Sequence, residues 1–290
     1  MSARQSRHTR RRKRRAGSSV KITGRLLLLA VLGTVVWWVA CAKHNDSPRD
    51  VTDALEGSLE EVRIPAGVPE KLLRYTGMTV SFNNETHQPN YVVWELLGSE
   101  AAGTEPRTND FFADTSVKGS AYPEDYKYTG YDRGHMAPAG DMKWDEKAMH
   151  ESFLMTNMCP QAPELNRGAW KKLEEKCRAK AMADSAVIIV CGPIFDTPEP
   201  SMRIGNTGVA VPDRFFKVVL SPYTDPPQAI GFIMPNGPVP GGMQPHAVTI
   251  DSVESVTGFD FFSALPDDLE ERLESSCNFN RWSHTSRRRK

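Results

Sequence analysis

Clusters of apolar residues predict a β-sheet that spans the middle and the second half of this chain. Four short runs are rich in the β-branched and aromatic residues that favour strands: residues 91–96, 186–191, 215–220 and 229–234. Residues 98–131 and 235–245 are rich in polar residues, glycine or proline, and we expect them to be mostly loop. The pattern favours one mixed α+β domain without internal repeats.

One helix is clearly marked, over residues 169–181. Apolar side chains recur there at spacings of three and four: Trp170, Leu173, Cys177 and Ala181. The charged residues between them are predicted to lie on a solvated face: Lys171, Lys172, Glu175, Lys176 and Arg178. Glu174 lies at the edge of the apolar stripe, where a carboxylate needs a partner. A second, charged helix is predicted over residues 267–275.

The start of the chain has the pattern of a targeting segment. A basic run precedes an apolar stretch, residues 26–42, whose length is at the lower limit for crossing a bilayer. Basic residues before it predict that everything after it lies outside the membrane. The alternatives are a lipoprotein site at Cys41, a mitochondrial transit peptide and a buried core helix.

This organisation predicts five segments along the chain. They are a basic cytoplasmic tail, a transmembrane or signal-anchor segment, a polar linker, a folded domain and a basic C-terminal tail, over residues 1–25, 26–42, 43–67, 68–280 and 281–290. The predicted location is a membrane with the domain outside the cytoplasm, in a bacterial periplasm or at the cell surface, and the alternative is mitochondrial.

The formal net charge of zero hides an asymmetry. Up to Asn45 there are eleven Lys or Arg residues and no Asp or Glu, which leaves 25 basic against 36 acidic residues in the remainder. A nucleic-acid-binding domain is more often basic. Composition alone therefore argues against nucleic acid as a ligand of the folded domain.

The segment Asp132-Arg133-Gly134-His135 combines residue types suited to phosphate chemistry. An arginine near a histidine lowers the pKa of the imidazole and favours the neutral form that a general base needs. Arginine also binds phosphate through two parallel hydrogen bonds. A solvated turn that happens to contain a histidine is the alternative.

Three further residues downstream have both a structural and a chemical interpretation. Asn166 precedes the predicted helix, where it could cap the helix or present its amide oxygen to Mg²⁺. Asn157 is either a turn residue or part of a site, and Glu174 either pairs with a nearby basic residue or belongs to the same site.

Taken in order, these segments resemble the DNA/RNA non-specific endonuclease family, which includes endonuclease G. The matching motifs are Asp-Arg-Gly-His at 132–135, Asn-x-x-Pro-Gln at 157–161, Leu-Asn-x-Gly-x-Trp at 165–170 and Leu-Glu at 173–174. The resemblance covers roughly residues 75–273 and includes Phe216-Lys217. It implies a ββα-metal (His-Me finger) endonuclease domain with a central, mostly antiparallel sheet flanked by helices.

The resemblance also implies roles for individual residues. His135 would be the general base, Asn166 the direct Mg²⁺ ligand, and Arg133 a phosphate contact. Arg107 matches the arginine upstream of the histidine, and Asn157 and Glu174 match supporting residues, the latter holding a metal-bound water. Arg167 is expected to add local positive charge for the substrate. Mn²⁺ or another divalent cation is expected to substitute for Mg²⁺.

The sequence thus predicts a metal-dependent endonuclease that cuts DNA and RNA without sequence preference and leaves 5′-phosphate ends. Two other functions stay open: a membrane-anchored nucleic-acid-binding protein without catalysis, for example in DNA uptake, and a phosphodiesterase for a small nucleotide. The expected partners are DNA, RNA and the membrane, with a homodimer as a further candidate. Four cysteines follow the anchor, enough for up to two disulfides: Cys159, Cys177, Cys191 and Cys277.

Overall fold

The computed structural model describes residues 59–284 of the chain. Six α-helices lie in this part: α1 (Gly98–Ala101), α2 (Glu146–Glu151), α3 (Lys171–Asp184), α4 (Ile250–Thr257), α5 (Asp267–Glu274) and α6 (Phe279–Ser283). The strands are β1 (Val62–Arg63), β2 (Lys71–Arg74), β3 (Thr79–Asn83), β4 (Gln88–Leu97), β5 (Asp132–His135), β6 (Met158–Gln161), β7 (Ala186–Ile194), β8 (Arg203–Ile204), β9 (Val209–Ala210), β10 (Arg214–Ser221), β11 (Gln228–Pro235), β12 (Ala247–Val248) and β13 (Asp260–Phe261).

A seven-stranded antiparallel sheet forms the centre of the domain, in the order β12-β11-β10-β7-β4-β3-β2. The four strands predicted from apolar runs are β4, β7, β10 and β11, which lie side by side in it, with β7 paired to both β4 and β10. Every residue of β7 is buried, because both faces of this strand are covered. This explains why its sequence is a continuous apolar run and not an alternating one.

Each face of the sheet packs into a separate apolar core. On one face α3 inserts Leu173 and Cys177 against side chains of β7 and β10, including Ile189 and Phe215. On the other face α4 and α5 contribute their apolar residues: Ile250, Val253 and Leu273. The predicted helix over residues 267–275 corresponds to α5. The sheet therefore separates two sets of helices, and the elements around residues 132–174 belong to the first set.

The predicted helix over residues 169–181 is present but begins with a break. A helical segment, Leu165–Trp170, precedes α3, and Gly168 within it has non-helical backbone angles (φ −105°, ψ −109°). The helix then runs to Asp184 and ends at Ser185, whose φ is +84°. The break gives the residues before Gly168 a direction different from that of α3.

The packed domain extends beyond the bounds predicted at residues 68 and 280. β1 pairs with β13, and Leu59 and Trp282 are both buried in the apolar cores. The two ends of the domain are short and polar in sequence, so no apolar run indicates that they are packed. The predicted anchor, residues 26–42, and the final basic residues lie outside the described part of the chain. Within residues 59–284, no helix has the length and apolar character needed to cross a bilayer.

All four cysteines of the described residues are free thiols. Cys159, Cys177 and Cys191 are buried, and Cys277 is exposed. The disulfides that the cysteine count allowed are therefore not formed in this structure.

Close approach of two strands makes Gly192 a sensitive position of the sheet. A Cβ added there would lie 2.3 Å from the main-chain oxygen of Asn90, which cannot rotate away. We expect Gly192→Ala to lower the free energy of unfolding by about 1–3 kcal/mol, as overpacking does in other cores. Urea denaturation measures this change. Gly237→Ala is the control, since a Cβ at that position has no neighbour within 4 Å, and equal stability of the two variants would contradict the prediction.

Candidate active site

The Asp-Arg-Gly-His segment forms β5, which pairs with β6 in a small antiparallel sheet separate from the central one. Gly134 lies opposite Cys159, and a Cβ at Gly134 would clash with the buried Gln161 side chain, which would have to move. Arg133 and His135 are two residues apart and share one face of the strand. The chain continues from β6 into the broken helix, which completes a ββα arrangement.

An open cleft of about 670 Å³ lies between β5 and the start of the helix. Six of the seven site residues predicted from sequence line it: Arg107, Arg133, His135, Asn166, Arg167 and Glu174. Residues far apart in the chain are thus brought to one place. The imidazole and the Asn166 amide face the same cleft, which a shared reaction centre requires.

His135 is held in an aromatic environment. Its ring centroid lies 5.5 Å from that of Phe111 and 5.0 Å from that of Phe153, and its Nε2 is buried without a hydrogen-bond partner among the described residues. Burial, and then the positive charge of Arg107, lower the pKa of His135 to about 3. The imidazole is therefore neutral at physiological pH, as a general base requires.

The sequence predicts that an arginine lowers the pKa of His135. In the structure this arginine is Arg107, and its effect on the pKa is smaller than that of burial. Arg107 and Arg133 both lie over aromatic rings, with their guanidinium carbons 5.2 Å from the Phe153 centroid and 4.5 Å from the Phe111 centroid. Within residues 59–284 neither forms an ion pair. Both guanidinium groups are thus oriented and available to an anion.

The Asn166 side chain is oriented by Asp132. Its Nδ2 donates a hydrogen bond of 2.9 Å to Asp132 Oδ2. A carboxylate only accepts hydrogen bonds, so this contact fixes which end of the amide is nitrogen. The oxygen Oδ1 has no hydrogen-bond donor among the described residues. Asn166 therefore presents a free carbonyl oxygen, the type of ligand that a hard cation prefers.

Arg167 has a partner that the sequence did not reveal. Its guanidinium makes a bidentate contact with Asp132, with Nε 2.8 Å from Oδ2 and Nη2 2.5 Å from Oδ1. Burial would raise the pKa of Asp132, but the hydrogen bonds from Arg167 and Asn166 hold it below its usual value. The positive charge expected to serve the substrate is largely compensated by this carboxylate.

Glu174 lies between the cleft and a buried group of charges. Burial raises its pKa to about 7, against the opposing effect of Lys217. The Lys217 ammonium lies 5.0 Å from the Trp94 ring centroid and 4.6 Å from that of Trp170, and its side chain is only 1% exposed. A lysine enclosed in this way keeps positive charge beneath the cleft.

Three members of this group were missed or misplaced by sequence reasoning. Arg178, predicted to lie on the solvated face of the helix, lines the cleft and forms an ion pair of 2.7 Å with buried Asp141. Lys217 was noted only as part of a motif, although a lysine inside the apolar run 215–220 is itself a signal of a buried charge. Asp141 carried no signal, because the side chains it contacts, Trp94 and Arg178, are distant in sequence.

Asn157 lies outside the residues that line the cleft. Its Oδ1 accepts a hydrogen bond from the Ala137 N–H, and its Nδ2 donates to the Ala137 and Ser152 carbonyl oxygens, each at 2.9 Å. Its main-chain oxygen accepts from the Met136 N–H. The side chain thus holds Ala137 and Ser152, and the main-chain oxygen holds Met136, so Asn157 positions the residues that follow His135 and both polar atoms of its side chain are engaged.

Comparison with known proteins agrees with this arrangement. The sequence profile of the family described as DNA/RNA non-specific endonuclease matches residues 55–268. Nuclease 1, mitochondrial, of Schizosaccharomyces pombe is 32% identical over 241 residues, which cover 75% of this chain and 74% of the relative. Endonuclease G, mitochondrial, of Bos taurus is 32% identical over 219 residues, which cover 71% and 73%.

A chain of the crystal structure of the EndoG/EndoGI complex is similar in fold. It superposes with a TM-score of 0.63 at 28% identity and covers 68% of this chain and 87% of its own length. The predicted α+β class, with a large antiparallel sheet flanked by helices and a ββα site, is confirmed by the sheet order and by this likeness.

The role of Asp132 in orienting Asn166 can be tested by Asp132→Asn. The new amide can donate a hydrogen bond, so the Asn166 side chain is no longer forced to present its oxygen to the cleft. If Asn166 is the metal ligand that the sequence predicts, we expect a loss of about 10–100-fold in nuclease activity, the usual effect of removing a group that orients such a ligand. Initial rates on plasmid DNA measure it.

Asp196→Asn is the matched control for this variant, because it also removes the carboxylate of an arginine pair, with Arg214, but lies outside the cleft. Equal activity of the two variants would show that Asp132 does not orient the site.

The lowered pKa of His135 predicts a pH dependence of stability. Unfolding restores a pKa of about 6.5, so the unfolded chain takes up a proton that the folded chain does not. The contribution of this histidine is fully present above pH 6.5 and is lost as the pH falls toward 3. We expect the stability difference between wild type and His135→Ala to shrink by about 1.4 kcal/mol per pH unit below 6.5.

Urea unfolding at several pH values, with EDTA present throughout to exclude metal effects, measures this difference. Curves for the two proteins that stay parallel between pH 8 and pH 5 would show that the imidazole titrates normally in the fold.

Proposed function

The chain belongs to the DNA/RNA non-specific endonuclease family and is a nuclease, and we propose that it is a Mg²⁺-dependent endonuclease that hydrolyses phosphodiester bonds in both DNA and RNA. The observation that supports this most is the pairing, in one cleft, of a neutral imidazole with the Asn166 amide, whose oxygen stays free because its nitrogen is bonded to Asp132. Sugar non-specificity and 5′-phosphate ends are part of the proposal.

His135 acts as the general base in this proposal. A neutral ring accepts the proton of a water molecule as that water attacks phosphorus. The Phe111 and Phe153 rings, which also contact each other, restrict the orientation of the imidazole, and the positive charge of Arg107 disfavours a second proton on the ring. The low pKa of the buried ring keeps the base unprotonated before the substrate arrives.

The residues of the cleft fit a hard divalent cation. Asn166 would hold it through Oδ1, and the Glu174 carboxylate would accept hydrogen bonds from its water shell. A bound cation neutralises charge on the phosphate and on the departing 3′ oxygen. The raised pKa of Glu174 is consistent with a carboxylate that lacks its partner, and Mn²⁺ is expected to substitute because it accepts the same oxygen ligands.

Substrate binding depends on local charge. Arg107 and Arg133 would contact the phosphate on either side of the scissile bond, since both guanidinium groups are free of carboxylate partners among the described residues. Arg167 would contribute only through Nη1, because Asp132 engages its other nitrogens. Few phosphate contacts on an acidic domain imply modest affinity, and a shallow dependence on salt, because the salt slope scales with the number of contacts.

For location, we propose attachment to a membrane through residues 26–42 with the nuclease domain outside the cytoplasm, and a mitochondrial location as the alternative. The basic residues before the apolar stretch support the first. The names of the mitochondrial relatives support the second. A homodimer is a further candidate assembly.

Plasmid degradation tests the catalytic proposal. We expect the protein to degrade supercoiled plasmid and single-stranded RNA in Mg²⁺ and to stop on addition of EDTA. His135→Ala should lower the rate about 10²–10⁴-fold, the usual contribution of a general base. His284→Ala, an exposed histidine outside the cleft, should leave the rate unchanged.

Asn166→Ala separates metal binding from general catalysis. It should raise the Mg²⁺ concentration that gives half-maximal rate, whereas exposed Asn84→Ala should not. Unchanged metal titration in Asn166→Ala would refute its ligand role. Binding of plasmid without cleavage at high protein concentration would favour a nucleic-acid-binding protein. Activity on a chromogenic thymidine diester, with none on plasmid or RNA, would favour a small-nucleotide phosphodiesterase.

A further inference from the structure

Three carboxylates converge at a place remote from the cleft. Asp251 and Glu254 belong to α4, and Glu274 is the last residue of α5. One carboxylate oxygen from each lies within 4.8 Å of the others. Two helices that are separate in sequence therefore direct acidic groups to a common point.

This acidic cluster, Asp251, Glu254 and Glu274, lies on the opposite side of the central sheet from the catalytic cleft. Ile250 and Val253 of α4 and Leu273 of α5 pack in the core on that face, whereas α3 packs on the other. The cluster shares no residue with the cleft. Any ligand it binds is separate from the one held by Asn166.

The Glu274 side chain is buried without compensation. The residue is 8% exposed, and its Oε1 is inaccessible to solvent and has no hydrogen-bond partner among the described residues. An isolated carboxylate removed from water is costly unless it is paired, protonated or bound to a metal. The buried oxygen therefore identifies a missing partner.

Basic residues do not supply that partner. Within residues 59–284 no Lys, Arg or His forms an ion pair with any member of the cluster. The nearest charges that act on Glu274 are acidic: Glu254, Glu270, Asp251 and Asp260. Arg63 lies at the margin and pairs with Asp260 at 3.4 Å. Burial and then these neighbours raise the pKa of Glu274 to about 8.

We propose that Asp251, Glu254 and Glu274 form a binding site for a hard divalent cation of the Ca²⁺ and Mg²⁺ class, which joins α4 to α5. Carboxylate oxygens are the ligands that such ions prefer, and water completes the shell on the exposed side, where Asp251 lies. The ion offsets the mutual repulsion of the carboxylates and gives the Glu274 oxygen a partner. This site is structural and does not depend on the nuclease mechanism.

Cation titration of the full-length protein tests the proposal. The Asn166→Ala variant serves as the starting protein, so that the catalytic cleft contributes little to the signal. Isothermal titration with Ca²⁺ and, separately, with Mg²⁺ should show one saturable site with a dissociation constant of about 10⁻⁴–10⁻³ M, the range of partly exposed sites. The same ion should raise the midpoint of thermal unfolding.

Glu274→Gln in this background should weaken the binding at least about tenfold, because affinity follows the number of charged ligands. It should also remove the thermal shift. Glu271→Gln is the matched control, since it changes an exposed glutamate of the same helix outside the cluster. Asp251→Asn, at an exposed position, provides a second variant that changes no buried group.

The comparison of Ca²⁺ with Mg²⁺ identifies the preferred ion, and binding of either supports the site. Two results would overturn the proposal: absence of any saturable cation binding in the Asn166→Ala protein, or equal binding in the Glu274→Gln and Glu271→Gln proteins. Failure of plasmid cleavage would bear on the cleft alone and leave this test unaffected.

Discussion

The hydrogen bond between Asp132 and Asn166 joins the two parts of the cleft, and the arrangement of the other groups depends on it. Asp132 lies on β5, beside the strand residues that carry the imidazole and a guanidinium, whereas Asn166 precedes the break in the helix. One carboxylate thereby fixes the spacing between strand and helix and the direction of the amide oxygen. The same carboxylate forms an ion pair with Arg167. It therefore compensates positive charge at the cleft while it positions the Asn166 side chain.

A second set of charged side chains is buried between the central sheet and the cleft. Lys217 lies on the central sheet between two tryptophan rings, and Glu174 and the Asp141–Arg178 pair lie between it and the cleft. Buried ion pairs are weak contributors to stability because desolvation opposes their attraction. An electrostatic role explains their presence in an apolar core better. These charges change the pKa of Glu174, and so its charge where a cation would approach.

The parts of the fold that sequence predicted are those with strong local signals. Continuous apolar runs located the four central strands, and apolar spacing located α3, because both patterns follow from burial. The motifs shared with the family identified six residues that the structure places in one cleft. Contacts between distant residues left no such signal: the pairing of Arg178 with Asp141, that of Arg167 with Asp132, and the enclosure of Lys217 depend on how α3 packs on the sheet. The strand β1 is only two residues long and is defined by its partner β13, so local sequence could not reveal it.

The distribution of thiols has a consequence for how the folded domain meets an oxidant. Cys159, Cys177 and Cys191 are enclosed in the core, and burial raises the pKa of each, so they stay protonated thiols in the folded domain. Among the described cysteines, Cys277 is the exposed one, so an oxidant in solution reaches it before the buried thiols. No disulfide links the described residues in this structure, so their packing rests on non-covalent contacts.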